Sequence, residues 1–219
     1  NAGRNVDIVT VANEKHVGVV CPGSSAEIHS VENQQSVLTG GNVNINAGSD
    51  VDIQGGLIAD VKDVNVNADG NVNLNAVTDS YSEETHVGSR GGSNYYHDKV
   101  VDEKVKGTNI AGKEDISVLA GSDINIKGSS LTSEEGKAGL AAGGNVNITN
   151  ENEYHEKLHE SHEKSNGFLS SKTTDIYDYS NVNGVVSSNV SAGSIDIQSG
   201  KDTNVKGSNV VADNDVSVK

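Results

Sequence analysis

Pairs of aliphatic side chains separated by one polar residue return along this chain at a spacing of about 21, and that recurrence constrains the fold more than any other feature. Val43/Ile45 returns as Val64/Val66, and Val51/Ile53 as Val72/Leu74, each after 21 residues. Ile195/Ile197 returns as Val216/Val218 after 21, Ile124/Ile126 as Val146/Ile148 after 22, and Ile116/Val118 is followed at that distance by Ala138/Leu140. A period of two belongs to an extended strand, whose alternate side chains share a face, and not to a helix. A strand with two inward side chains cannot stand alone. Stacked in parallel, one lap over the next at about 4.8 Å, such strands share a continuous core. The spacing predicts an all-β chain wound as a parallel β-helix.

Longer phrases recur over the same frame. Residues 2–8, 68–74 and 142–148 align around Asn-Val-Asp/Asn-Ile/Leu, and 47–53, 120–126 and 199–205 form a second set. The solenoid accounts for an otherwise poor core composition: 33% hydrophobic residues, one Phe, no Trp and no Met. Stacked Val, Ile and Leu fill a narrow interior without aromatic bulk. Asn and Gly between the strands supply left-handed backbone positions and side-chain amide ladders. Asp50, Asp52, Asp123 and Asp202 then fall on outward or corner positions in solvent. With 31 acidic against 16 basic residues the net charge is −15, so binding to nucleic acid or to an anionic bilayer is disfavoured.

The coil-forming stretches run over about 1–8, 37–74, 109–148 and 190–219, within a single repeat unit covering 1–219. Three excursions, about 9–36, 75–108 and 149–189, carry all seven His and all six Tyr. In the second, two extended runs flank Gly88-Ser89-Arg90-Gly91-Gly92-Ser93, which reads as a β-hairpin leaving the coil and returning to it. About 120 residues remain for the coil, enough for about six laps and a rod roughly 30 Å long.

Ala142-Gly143-Gly144-Asn145-Val146-Asn147-Ile148 and the stretch 120–129, Ala-Gly-Ser-Asp-Ile-Asn-Ile-Lys-Gly-Ser, resemble the haemagglutinin repeats of filamentous haemagglutinin and CdiA-type exoproteins. So do excursion endings such as Lys164-Ser165-Asn166-Gly167-Phe168-Leu169. The likeness covers nearly the whole chain and is weakest over 16–35, where Cys21 and Pro22 fit no repeat phrase. It implies right-handed winding, secretion through an outer-membrane two-partner-secretion transporter, and a place on the surface of a Gram-negative cell. The implied work is that of a non-catalytic stalk or adhesion module contacting a host or target-cell receptor or glycan; the alternative is a region that helps deliver a C-terminal toxin. The chain starts and ends in mid-pattern, which reads as an interior piece of a longer polypeptide. No signal peptide and no run of 18 apolar residues is present in it.

His155-Glu156-Lys157-Leu158-His159 matches the zinc-hydrolase pattern H-E-x-x-H, and His162 offers a third nitrogen. The flanks offer a helix no apolar face, and on a strand His155 and His159 would lie about 13 Å apart, too far for one ion. Tyr81-Ser82-Glu83-Glu84-Thr85-His86 reads as the matching phrase of the preceding unit, aligned on Tyr154, with Ser82 where the first His stands. We expect these histidines to be decoys, with no catalytic residue, metal or cofactor. Asp60 with Asp63, and Asp213 with Asp215, are carboxylate pairs without a sugar platform beside them. Gly40-Gly41 and Gly143-Gly144 lack phosphate-loop spacing and read as turns. Cys21 has no partner for an internal disulfide. If the excursions bind a partner, Tyr81, Tyr95, Tyr96, Tyr154, Tyr177 and Tyr179 are the anchors, since exposed aromatics dominate interfaces; otherwise they pack their own hairpins.

Overall fold

The computed structural model describes residues 2–88 and 93–219, so positions 89–92 of the Gly- and Ser-rich turn lie outside the described residues. The chain opens with β1 (Val6–Val9), makes a hairpin of β2 (Val11–Cys21) and β3 (Ser24–Gln34), then runs β4 (Val37–Leu38) and β5 (Asn42–Ala47). It continues through β6 (Val51–Gln54), β7 (Leu57–Val61), β8 (Asp63–Ala68) and β9 (Val72–Asn75). A second pair of strands, β10 (Val77–Gly88) and β11 (Asn94–Lys106), precedes β12 (Asn109–Gly112), β13 (Ile116–Ala120) and β14 (Ile124–Lys127). Then come β15 (Ser130–Ser133), β16 (Lys137–Ala142), β17 (Val146–Thr149) and a third pair, β18 (Glu151–Asn166) and β19 (Ser171–Val186). The chain finishes with β20 (Asn189–Ala192), β21 (Ser194–Ser199), β22 (Thr203–Lys206), β23 (Asn209–Ala212) and β24 (Val216–Val218).

Eighteen of these strands form three parallel sheets of six: β1-β6-β9-β14-β17-β22, β4-β7-β12-β15-β20-β23 and β5-β8-β13-β16-β21-β24, called sheets I, II and III. The chain visits II, III and I in rotation, and on alternate laps it inserts a pair of antiparallel strands between I and II. Between laps with no hairpin the registers follow the sequence spacing of 21 or 22, and across a hairpin the same faces stack at a larger offset. Val43 lies against Val64, Val64 against Ile116, Ile116 against Ala138, Ala138 against Ile195 and Ile195 against Val216, a column six residues deep. The two sets of longer phrases are the alternate strands of sheet I.

Alternation does the rest. Val51, Ile53, Val72, Leu74, Ile124 and Ile126 are fully inaccessible while their polar neighbours face out. Each large aliphatic side chain buried this way contributes about 1.5–3 kcal/mol. The outward middle position of sheet I is an amide ladder: Asn73 donates to Asp52 (2.7 Å), Asn125 to Asn73 (2.8 Å), Asn147 to Asn125 (2.9 Å) and Asn204 to Asn147 (2.9 Å). At the corner from III to I, Asn5, Asp50, Asn71, Asp123, Asn145 and Asp202 alternate up the stack, each side-chain oxygen accepting from the backbone N–H of the next. Alternation keeps like carboxylates two laps apart. Glycine is required at this corner where laps approach most closely: a Cβ on Gly121 would stand 2.1 Å from the Asp69 carbonyl.

Sheet II is the element the sequence reading lacks. Its strands in the buried laps turn Ile58, Ile110, Leu131 and Val190 inward, followed two or three residues later by an inward residue that is small in all of them but β7, where it is Val61. What marks them is the phrase Gly-Ser/Thr-x-aliphatic, at Gly107-Thr108, Gly128-Ser129 and Gly207-Ser208. Those hydroxyls form a second ladder, buried at the seam of I and II. Thr108 N donates to Ser129 Oγ (3.1 Å), Ser129 N to Ser188 Oγ (3.1 Å) and Ser188 N to Ser208 Oγ (3.2 Å). Each hydroxyl in turn donates to a strand-end carbonyl, as Thr108 does at 2.9 Å from the carbonyls of Ile53 and Asn75. Buried hydroxyls and carbonyls are thereby satisfied together.

Candidate functional site

The three strand pairs do not stand apart. They merge into one six-stranded antiparallel sheet, β2-β3-β10-β11-β18-β19, here called the arm. Strand β3 pairs with β10 over 80–87, and β11 with β18 over 94–102. Insertion on alternate laps explains the merger: each hairpin leaves and re-enters at the same seam, and its neighbour lies two laps away, a span about equal to two strand spacings.

Where the arm meets the laps, a polar node ties three strands. Asp79 of β10 accepts from Asn33 N of β3 (2.7 Å) and from Lys106 Nζ of β11 (2.6 Å), and Lys106 also donates to the Asn33 carbonyl (2.9 Å). Burial alone would raise the pKa of Asp79, but the Lys106 ammonium and the Asn33 donors hold it below the ordinary carboxylate value. Nearby, Lys127 pairs with Glu151 at 2.7 Å and holds that carboxyl low against the opposing effect of burial.

Farther out, both arm faces carry titratable side chains. Register places Tyr81 and Tyr96 on one face and Tyr95, Tyr154, Tyr177 and Tyr179 on the other. Tyr95 is buried, whereas Tyr177 on the edge strand is 70% exposed. Adjacent carboxylates hold the hydroxyls: Tyr81 donates to Glu83 (2.7 Å), Tyr96 to Glu163 and Tyr154 to Glu156 (3.1 Å). Burial, with the Glu156 carboxylate and the Tyr179 hydroxyl, pushes Tyr154 up to about 12. These partners all belong to the arm. The residues offered as one binding set are thus split between two faces, with Tyr177 and Tyr179 the exposed pair on an unpaired edge.

The H-E-x-x-H residues lie on strand β18 and not on a helix. His155 faces Asp102 (Nδ1 to Oδ1, 2.6 Å), His159 faces Asp98, and His162, on the opposite face, meets Asp175. The Asp102 bond raises His155 above the usual imidazole value, against a lowering by burial. Each histidine has its own cross-strand carboxylate, so the three are not brought to one point. The alignment of Tyr81 with Tyr154 needs correction: Asn75 and Thr149 both stack on Lys127, so the offset is 74 and Tyr81 stands level with His155. A slip of one residue exchanges the faces of a strand.

The remaining candidates have local structural work. Asp60 sits at φ 56° beside the register shift of β7 against β12, and Asp63 caps the Asp115 N–H of the neighbouring lap (3.2 Å). Asp215 accepts from Ile195 N through its carbonyl (2.8 Å), and Asp213 N donates to Ala192 (3.1 Å). Cys21 is exposed at the end of β2.

Sequence reasoning missed a convergence on the face shared by five of the seven histidines, His16, His29, His86, His97 and His162. His86 and His97 stand directly opposite each other on β10 and β11, their rings stacked at 4.0 Å, and both Nε2 atoms approach Glu84 Oε1, at 3.1 and 2.9 Å. Counting alone did not give this pairing: the Gly- and Ser-rich run 88–93 is centred between 90 and 91 and would set His86 opposite Tyr95, whereas the observed register is centred between 91 and 92 and sets it opposite His97.

The hemagglutinin repeat family matches this chain over residues 21–97 and 88–219. A tRNA nuclease CdiA-2 of Burkholderia pseudomallei strain 1026b is 33% identical over 188 residues, 84% of this chain and 6% of that protein. A tRNA nuclease CdiA of Escherichia coli strain STEC_O31 is 36% identical over 188 residues, 84% of this chain and 5% of that protein. A 16S rRNA endonuclease CdiA of Enterobacter cloacae is 32% identical over 120 residues, 54% of this chain and 4% of that protein. The chain thus spans only a small fraction of the relatives it matches. No solved structure matches it.

Proposed function

The chain belongs to the hemagglutinin repeat family, as a repeat region of CdiA-type secreted, cell-surface exoproteins of Gram-negative bacteria, and from that membership we propose that it is a non-catalytic stalk segment. The winding is that of a right-handed parallel β-helix, with the arm running along one side. The carrying observation is the six-deep column from Val43 to Val216, in which every lap rests only on its neighbours. Such a stack lengthens by adding laps and can fold progressively as it leaves a two-partner-secretion transporter, with no disulfide to form. The exposed Tyr177 and Tyr179 would be where a cell-surface receptor or glycan is met. The RNA-cleaving activities in the relatives' names are not assigned to this segment: its acidic surface repels a polyphosphate, and the histidines of its one catalytic-looking motif are each held by a separate carboxylate.

Delivery of a toxin is the second reading, favoured by the toxin names of the relatives. One deletion separates the two. Removing residues 69–142 from the full-length exoprotein takes out two laps and one hairpin while keeping register, since Val72 and Val146 stack two laps apart through Ile124. A stalk keeps both surface display and killing of target cells after this shortening. Retained display with killing lost supports delivery, and loss of display overturns the stalk reading.

A further inference from the structure

The Glu84, His86 and His97 cluster has a hydrogen-bonding defect that a metal ion would remove. Both imidazoles present Nε2 to the same oxygen, Glu84 Oε1. If the neutral rings donate there, each Nδ1 is left as an acceptor, and His97 Nδ1 is buried without a hydrogen-bond partner. Glu160 Oε2 stands 3.9 Å from that same Nδ1, an oxygen that an Nδ1–H would suit and a lone pair would not. With an ion on Nε2 the proton moves to Nδ1, where the Glu160 carboxylate 3.9 Å away favours it electrostatically; a small approach of the two would complete the hydrogen bond that usually orients a metal-bound histidine.

The spacing agrees. Ligand atoms about 2.0–2.2 Å from a tetrahedral ion lie roughly 3.3–3.5 Å from one another. Here Glu84 Oε1 is 3.1 and 2.9 Å from the two nitrogens and all three atoms lie within 4.8 Å of one another; the two imidazoles, stacked at 4.0 Å, must turn out of their stack to aim both Nε2 lone pairs at one ion. The fourth position opens on a shallow groove lined by His16, Ser25, Glu27 and His86, wide enough for water. Two imidazoles and one carboxylate suit zinc, whereas calcium and magnesium want oxygen throughout. We propose that Glu84, His86 and His97 bind one zinc ion that staples β10 to β11 in the arm. The site is separate from the H-E-x-x-H residues and does not depend on the stalk reading.

The test uses the purified chain without an affinity tag, titrated with zinc chloride against a chelating dye. One ion per chain with a Kd on the order of micromolar or tighter is expected. Glu84→Gln and His86→Gln should each weaken binding at least tenfold, while His155→Ala and His159→Ala leave it unchanged. Zinc should also raise the midpoint of thermal unfolding of the wild-type chain by several degrees, and calcium should not. Circular dichroism checks the fold of every variant, and the wild-type titration stands by itself should one unfold. No binding at about 100 μM zinc, binding insensitive to Glu84→Gln and His86→Gln, or equal loss in His159→Ala would overturn the proposal.

Discussion

The laps and the arm obey one backbone hydrogen-bonding rule and differ in what their faces hold. In the laps each strand turns apolar side chains into a shared interior, and the largest fully buried ones, Ile53 and Leu131 among them, all lie in the three parallel sheets. The arm carries carboxylates, histidines and tyrosines on both faces, and β2 is exposed at every residue. The edge strand β19, 16 residues long and exposed at nearly every position, thus gains less from burial than the four-residue lap strand β14 with its two fully buried isoleucines. Length of pairing does not set stability; the environment of the side chains does.

A core truncation should show the contrast most strongly. Ile126, stacked between Leu74 and Ile148, is fully buried, so Ile126→Ala should cost about 3–4 kcal/mol. Val182→Ala on the arm edge, 59% exposed, should stay within about 0.5 kcal/mol. Urea unfolding followed by far-ultraviolet circular dichroism measures both, and similar costs would break the comparison.

A smaller effect is expected at the seam. Thr108→Val keeps the volume and removes the donor shared by the Ile53 and Asn75 carbonyls, at a cost of about 1–3 kcal/mol by the same measurement. A neutral result would mean that the buried hydroxyl ladder is ornament to the stack.

Acid should separate the two regions with the least perturbation. Asp79 and Glu151 have folded pKa values below their unfolded ones, so their contribution is present above the unfolded carboxylate value and is lost as pH falls through the folded one. His155 runs the other way: raised by Asp102, it contributes below the unfolded imidazole value and fades as pH rises through the folded one. All six tyrosines lie in the arm, and no Trp is present, so tyrosine fluorescence reports on the arm alone. Below about pH 4 its unfolding midpoint should drop before that of the far-ultraviolet signal. Coincident transitions at every pH would show that arm and laps unfold as one body.

Much of the lap architecture could be read without coordinates. Neighbouring laps with no hairpin between them are related by an offset of 21 or 22, so there the aliphatic pairs that stack are the pairs that recur, and Val43 could be matched to Val64 by counting; where a hairpin intervenes, as between Val64 and Ile116, the short period is broken. Sheet II escaped because all its strands but β7 turn one large aliphatic inward and a two-residue signal does not stand out from background; the Gly-Ser/Thr step before it was the usable sign. In the arm a count that slipped by one residue put Tyr81 level with Tyr154 and so on the wrong face.

The amino-acid order alone therefore determined the stacking of laps that no hairpin separates, because a structure that repeats by translation writes its contacts as a period. Only the tertiary structure decided that the hairpins fuse into one sheet and that Glu84, His86 and His97 meet while His155, His159 and His162 are each held by a separate carboxylate. The fusion joins segments whose spacing is set by the seam they share, and the histidine cluster rests on a hairpin register centred one residue past the middle of its Gly- and Ser-rich run, so neither is displayed as a period.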